Sequence, residues 1–308
     1  MSETQERTRR RSWRERLPLI ERAVGSARPT ETLSAGHPGP SPTPSAPPAQ
    51  GATAAQSAPH APGAKQSRFA KLDLGRLERM GFLTPRTART RLTEEYRVIK
   101  RSVLRNAFQQ SRLRGLPSNL IMVSSARPTE GKTFTAVNLA ISIALERDYT
   151  VLLIDGDFAK PSVTKTLGLD ADKGIVDVLE DPSVDLSDVL IRTNIEKLSI
   201  LPAGSLHNLS TELLASHRMS ALVSEIAQRY HDRVVIFDAP PILASSEPSA
   251  LAMHVGQIIM VVEADRTPRT AVREALDMIN TDAHIGVVLN RCSPRMGQGQ
   301  FGTYYAKA

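Results

Sequence analysis

The chain has 308 residues and a single cysteine, Cys292, so it can form no internal disulfide and its composition suits a reducing compartment. No run approaches the ~18 uninterrupted apolar residues that a membrane helix requires, and no apolar signal core follows the charged first residues. With a net charge of +7 and arginines crowded into the first two dozen residues, these features exclude a secreted or membrane-spanning product and predict a cytoplasmic one.

Residues 1–24 form a basic N-terminal segment, in which Arg7, Arg9, Arg10, Arg11, Arg14, Arg16 and Arg22 outnumber Glu3, Glu6, Glu15 and Glu21. Such a segment is either a solvated tail or is drawn to an anionic membrane surface, where each basic residue contributes about 1 kcal/mol. Trp13 is the only aromatic among the arginines, so no nucleic-acid role is expected. The stretch 12–24 has the pattern of a short amphipathic helix, with Leu19, Ile20 and Val24 as its apolar side. Residues 25–64, rich in Pro, Ala, Ser, Gly and Thr, cannot bury enough apolar area to offset their ordering entropy and read as a disordered linker. A docking segment follows at 65–91, where Phe69–Leu83 carries enough Leu, Met and Phe to pack on a neighbour before Pro85 ends it.

The folded domain is expected over 92–292, with 293–308 as a flexible C-terminal tail. Its first helix is predicted from Thr93, as N-cap, to about Gln110, with Glu94 and Glu95 in the first turn. Tyr96, Ile99 and Val103 share one face; Glu94, Arg97 and Arg101 share another, with Lys100 beside it. After Pro117, short apolar runs rich in β-branched residues predict strands at Leu120–Ser125, Val151–Asp155, Leu198–Leu201, Val234–Asp238, Gln257–Glu263 and Ile285–Asn290. Between them, helices are predicted at Thr133–Arg147, Thr211–Tyr230 (apolar side Leu222, Val223, Ile226 and Tyr230) and Pro268–Asn280. Near-continuous apolar strands alternating with helices define an α/β, doubly wound, mostly parallel sheet with helices on both faces. Ligands of such sheets bind beyond the carboxyl ends of the strands.

The polar motifs fall at those ends. Directly after the first of these strands comes Ala126-Arg127-Pro128-Thr129-Glu130-Gly131-Lys132-Thr133, followed by Phe134 in the helix it opens. This is the P-loop pattern apart from Ala126, which replaces the usual first glycine. Backbone N–H groups and the helix N-terminus can surround phosphate oxygens, Lys132 neutralises the β and γ phosphates, and Thr133 offers a hydroxyl to Mg²⁺. The next strand ends in Asp155-Gly-Asp157, two carboxylates able to support a hydrated magnesium ion or take a proton from a hydroxyl. A third carboxylate, Asp238, closes a further apolar strand before Ala-Pro-Pro, the position of a carboxylate that supports Mg²⁺. Cys292, with no His–Asx pairing near it in sequence, is taken as a filler residue.

A P-loop, an apolar run into Asp-x-Asp and an apolar strand into Asp-x-Pro-Pro together resemble the bacterial tyrosine kinases (BY-kinases) of polysaccharide synthesis and export. The likeness is closest to the exosortase-associated tyrosine autokinase branch and covers about Leu92 to Arg291. It implies a P-loop kinase domain over 92–292 that uses ATP and Mg²⁺, with Lys132 and Thr133 holding nucleotide and metal. Asp155 would activate the tyrosine hydroxyl, while Asp157 and Asp238 organise the metal. Glu94-x-x-Arg97-x-x-Lys100 is similar to the family's Glu-x-x-Arg-x-x-Arg motif for ring-like self-association, and Asn290 to an adenine-contacting asparagine. Tyr304 and Tyr305 would be the phosphoacceptors, reached in trans. The resemblance also implies a membrane chain-length-determinant, or co-polymerase, partner acting as activator, and so a location at the inner face of the membrane.

Four departures stand out. Thr129 replaces a glycine, which stiffens the loop or alters its phosphate fit. Ala159 stands where many members carry arginine, Lys100 lacks the bidentate fork of the arginine it replaces, and the tyrosine cluster is reduced to two. Two other functions stay open on sequence. A partitioning or septum-positioning ATPase of the same fold would use water as nucleophile, although the early loop lysine of that class is absent. A nucleotide-gated adaptor would bind ATP and a membrane partner without efficient phosphorylation.

Overall fold

The fold was obtained as a computed structural model, which describes residues 67–109, 116–205, 210–229, 232–279 and 281–293. In chain order its elements are β1 (Arg68–Ala70), α1 (Leu74–Arg79), α2 (Arg91–Gln109), β2 (Leu120–Ser125), α3 (Lys132–Ala144), β3 (Thr150–Asp155), α4 (Val163–Leu167), α5 (Ile175–Glu180), α6 (Leu186–Val189), β4 (Ile191–Thr193), β5 (Leu198–Leu201), α7 (Ser210–Leu214), α8 (His217–Arg229), β6 (Arg233–Asp238), α9 (Glu247–Leu251), β7 (Gln257–Glu263), α10 (Arg269–Met278) and β8 (His284–Asn290). The strands form one sheet in the order β1-β4-β5-β3-β6-β2-β7-β8. All neighbours run parallel except β4 and β5, which pair antiparallel. The predicted doubly wound, mostly parallel α/β architecture is therefore what the chain adopts.

Hydrophobic residues explain the layering. β2, β3, β6 and β7 are buried along nearly their whole length, as expected of strands covered on both faces. Their side chains alternate between two cores. One holds Met122, Leu152, Ile154, Val235, Phe237 and Met260 with α8 and α10. The other holds Ile121, Val123, Leu153, Ile236 and Val261 with α2 and α3. From Thr135 to Ala144 every residue of α3 is buried, so this helix has no solvent face and its start, the P-loop, is fixed by packing.

Several local features differ from the sequence reading. The segment predicted only to dock supplies the edge strand β1, which pairs parallel with β4 through Arg68–Ile191 and Ala70–Thr193, and lies in the compact unit that begins at Lys65. Helix α2 starts two residues before Thr93. Thr90 Oγ1 accepts from Thr93 N at 3.3 Å, which is N-cap geometry, and the Thr93 hydroxyl donates to Ala88 O instead. The single helix predicted from Thr211 divides at Ser216, whose hydroxyl accepts from Met219 N at 3.1 Å and starts α8 anew. Leu222, Val223 and Ile226 are buried as expected, whereas Tyr230 lies outside the described residues. Outside them also lie residues 1–66, with the basic segment and the linker, and the tail with Tyr304 and Tyr305.

Candidate functional site

Register brings the acidic strand ends together. Asp155 and Asp238 are direct partners across β3 and β6, and Val123 of β2 is opposite Asp238. The P-loop leaves the end of β2 beside them. Its exit is tied down by Ser124 Oγ, which donates to Pro240 O at 2.6 Å, and by Ala239 N, which donates to Val123 O at 2.9 Å.

Within the loop, Ala126 is fully buried and is not among the residues with left-handed backbone, so alanine in place of glycine strains nothing there. Thr129 is left-handed at φ 69° and Gly131 at φ 96°. Thr129 thus takes, as a β-branched residue, the conformation that glycine enters freely. The next side chain is turned inward. Glu130 accepts from Arg127 N at 2.9 Å and, through its other oxygen, from the Thr267 hydroxyl. Asn290, at the end of β8, donates its amide to Glu130 O at 2.9 Å and accepts from Arg291 N at 2.9 Å. A Cβ on Gly131 would stand 2.1 Å from Asn290 Nδ2, so any larger residue there would push the Asn290 amide aside. Phe134 packs on Phe82 with ring centroids 4.9 Å apart, against the segment that precedes α2.

The charged centre is compact. Lys132 Nζ lies 2.9 Å from Asp157 Oδ2 and 3.8 Å from Asp238 Oδ1. Burial alone would lower the lysine pKa, but the carboxylates of Asp238 and Asp157 outweigh it and hold it above its ordinary value. Thr133 Oγ1 donates to Asp238 Oδ2 at 2.6 Å. Asp155 is wholly enclosed: Oδ2 accepts from Ser162 N and Val163 N at 2.9 and 2.8 Å, and Oδ1 from Asp157 N at 3.4 Å. Burial first, and the Asp238 charge second, push its carboxyl up to about 7. Burial also raises Asp238, against the pull of Lys132.

Three carboxylates face one ammonium here, an excess of two negative charges when all are ionised. Asp238 Oδ1 is buried with no hydrogen-bond partner among the described residues. Both features fit a divalent cation. No three His, Cys, Asp or Glu side chains form a cage among the described residues, so such an ion would need phosphate oxygens and water as well, the usual manner of Mg²⁺.

Lys132, Thr133, Asp155, Asp157 and Asp238 thus converge, with the loop from Ala126 to Gly131 around them. The residues predicted for self-association do not act as one set. Arg97 Nη1 pairs with Glu94 at 2.6 Å on the helix surface. Lys100 is turned in, 7% exposed, donating to Ser142 O at 3.1 Å and pairing with Glu146 at 2.5 Å. Ser162 and Thr267 were missed in the sequence. Ser162 follows Asp155 by seven positions with no motif spacing of its own, and Thr267 lies 137 residues from its partner Glu130.

The fold and these residues define a P-loop enzyme of the nucleotide-binding class. Residues 118–285, more than half of the chain, match the family model described as AAA domain, AAA_31. Tyrosine-protein kinase YwqD of Bacillus subtilis is 32% identical over 187 residues, 59% of this chain and 77% of that protein. Tyrosine-protein kinase CpsD of Streptococcus agalactiae is 25% identical over 232 residues, 74% of this chain and 96% of that protein. The chain spans only 27% of the length of the putative tyrosine-protein kinase EpsB of Ralstonia solanacearum. Among solved structures, the VpsO kinase domain shares 29% identity at TM-score 0.52, covering 65% of this chain and 98% of that one. This chain belongs to the AAA_31 family and, within it, to the bacterial tyrosine-protein kinases.

Proposed function

We propose that this chain transfers the γ-phosphoryl group of ATP to Tyr304 and Tyr305 of a neighbouring copy, and that this cycle regulates exopolysaccharide polymerisation or export. The observation that carries the reading is the engagement of Lys132 and Thr133, consecutive on α3, with Asp157, just beyond β3, and Asp238, at the end of β6. Backbone N–H groups from Thr129 to Thr133 and the Lys132 ammonium suit the phosphates. Thr133, Asp157 and Asp238 would hold Mg²⁺, which when bound neutralises charge on the β- and γ-oxygens. In the transfer the phenolic oxygen bonds to the γ-phosphorus, the bond to the ADP oxygen breaks, and the phenolic proton passes to a carboxylate.

Asp155, held near neutrality, has the basicity for that last role. Its enclosure makes Asp157, beside Lys132, the alternative acceptor. Single-turnover transfer by Asp155→Asn and Asp157→Asn separates the two. The resemblance further supports a ring-like assembly through Glu94 and Arg97 and a membrane co-polymerase partner as activator, which co-purification from membranes tests. Among the described residues no helix is long and apolar enough to cross a membrane.

The deciding experiment incubates the full chain with ATP and Mg²⁺ and maps phosphate by mass spectrometry, with Lys132→Met as control. Phosphate on Tyr304 or Tyr305, absent in the control, is the expected result. Hydrolysis without phosphotyrosine, alone or with the membrane partner, overturns the kinase assignment of the tail in favour of a water-attacking ATPase. Tight nucleotide binding with neither activity points to the adaptor.

A further inference from the structure

Ser162 stands at the N-cap of α4, where a serine hydroxyl ordinarily accepts an N–H from the first turn. It makes no such bond. Asp155 Oδ2 takes the N–H groups of Ser162 and Val163 in its place. The freed hydroxyl turns across the site instead, 2.9 Å from Thr133 Oγ1 and 3.3 Å from Asp238 Oδ2. Thr133 and Ser162 therefore share one carboxylate oxygen, while the other, Asp238 Oδ1, is buried without a hydrogen-bond partner among the described residues.

We infer that Ser162 is a positioning residue for the divalent cation that accompanies the nucleotide. Thr133 gives its one hydroxyl hydrogen to Asp238 Oδ2, so one of its lone pairs accepts from Ser162 and the other remains for a cation. Ser162 then shares its own single hydrogen between Thr133 Oγ1 at 2.9 Å and Asp238 Oδ2 at 3.3 Å, and braces the rotation of the carboxylate through both. That rotation keeps Oδ2 on the two hydroxyls and leaves Oδ1 for the cation and its waters. Without Ser162 the carboxylate is held by Thr133 and by the longer 3.8 Å approach of the Lys132 ammonium, and has more freedom to turn. An outer partner of this kind typically changes metal affinity about 10-fold or more, while having little reason to alter the grip of backbone N–H groups on phosphate.

The inference rests on the nucleotide–cation reading above, and one titration separates the two. Binding of a fluorescent ADP analogue to the full chain is measured in EDTA and again across a Mg²⁺ series, for the wild type, Ser162→Ala and Ser162→Thr. Ser162→Ala is expected to raise the Mg²⁺ concentration at half effect about 10-fold and to leave binding in EDTA unchanged. Ser162→Thr, which keeps the hydroxyl, restores the wild-type response and shows that the position folds. If Ser162→Ala weakens binding equally in EDTA and in Mg²⁺, or shifts neither, Ser162 has no role toward the cation. Wild-type binding with no Mg²⁺ dependence overturns the site reading itself, and this inference with it.

Discussion

Thr129 adopts φ 69° in the P-loop, where its side chain is exposed and makes no hydrogen bond among the described residues. Left-handed backbone costs a residue with a Cβ about 1–2 kcal/mol. Glycine would remove that strain but lose about 0.5–1 kcal/mol through the freedom of the unfolded chain. Thr129→Gly should therefore stabilise the protein slightly, by about 0.5–1 kcal/mol, read as a higher urea midpoint with unchanged slope; a lower midpoint would show that the threonine contributes a contact of its own. Asp155 sets a second test. Its carboxyl titrates near 7 in the folded chain against 3.8 ordinarily. The folded state thus holds a proton that the unfolded state releases, so this group's contribution is full below about pH 4 and is lost as pH rises through 7. In EDTA, the wild-type urea midpoint should fall between pH 5 and pH 8 more than that of Asp155→Asn. Equal slopes would mean that Asp155 is ionised throughout.

Helix α2 shows how an element can be legible while the use of its residues is not. The spacing of Tyr96, Ile99 and Val103 located its buried face, and two of the three self-association candidates, Glu94 and Arg97, are on its surface. Lys100, three residues on from Arg97, reaches the last turn of α3 through a long stem that periodicity does not see. There its ammonium meets Ser142 O, an otherwise orphan carbonyl near a helix end, and the Glu146 carboxylate. Lys100→Ala should lower stability by about 1–3 kcal/mol, through the lost stem packing and the bared carbonyl. Arg97→Ala should leave stability near wild type and change the mass seen by light scattering. The reverse pattern would return Lys100 to the self-association surface. The shorter elements were illegible for a related reason. β1 and β4 have three residues each, too few for a period to register, and are held by pairing, β1 on β4 and β4 on β5. Ser216 and Thr90, by contrast, carry ordinary capping chemistry at positions that a longer apolar pattern had overrun.

Across the whole molecule, the strands ending in Asp155 and Asp238 were readable because each carries four consecutive apolar residues before its aspartate, so the sheet had only to align their ends. Strand order did the rest, and order is not written in local pattern: β6 between β2 and β3 is what sets Asp238 against both Thr133 and Lys132. The same topology bears on which copy would receive the phosphate in the proposed transfer. β8 ends at Asn290, which touches the P-loop directly, so the last strand ends beside the candidate site of its own chain. Tyr304 lies 14 residues further on (304 − 290), a reach of up to about 45–50 Å when extended. Length therefore permits transfer within one chain as well as between chains, and transfer in trans must come from assembly. The test mixes Lys132→Met, inactive but with both tyrosines, with a Tyr304→Phe, Tyr305→Phe chain, active but without them. Phosphotyrosine on the Lys132→Met chain is expected, at a rate that rises with protein concentration and falls when Arg97→Ala is added to both. Phosphorylation of the wild type at a concentration-independent rate, with none in the mixture, would place the reaction within a single chain and leave the surface of α2 without a catalytic purpose.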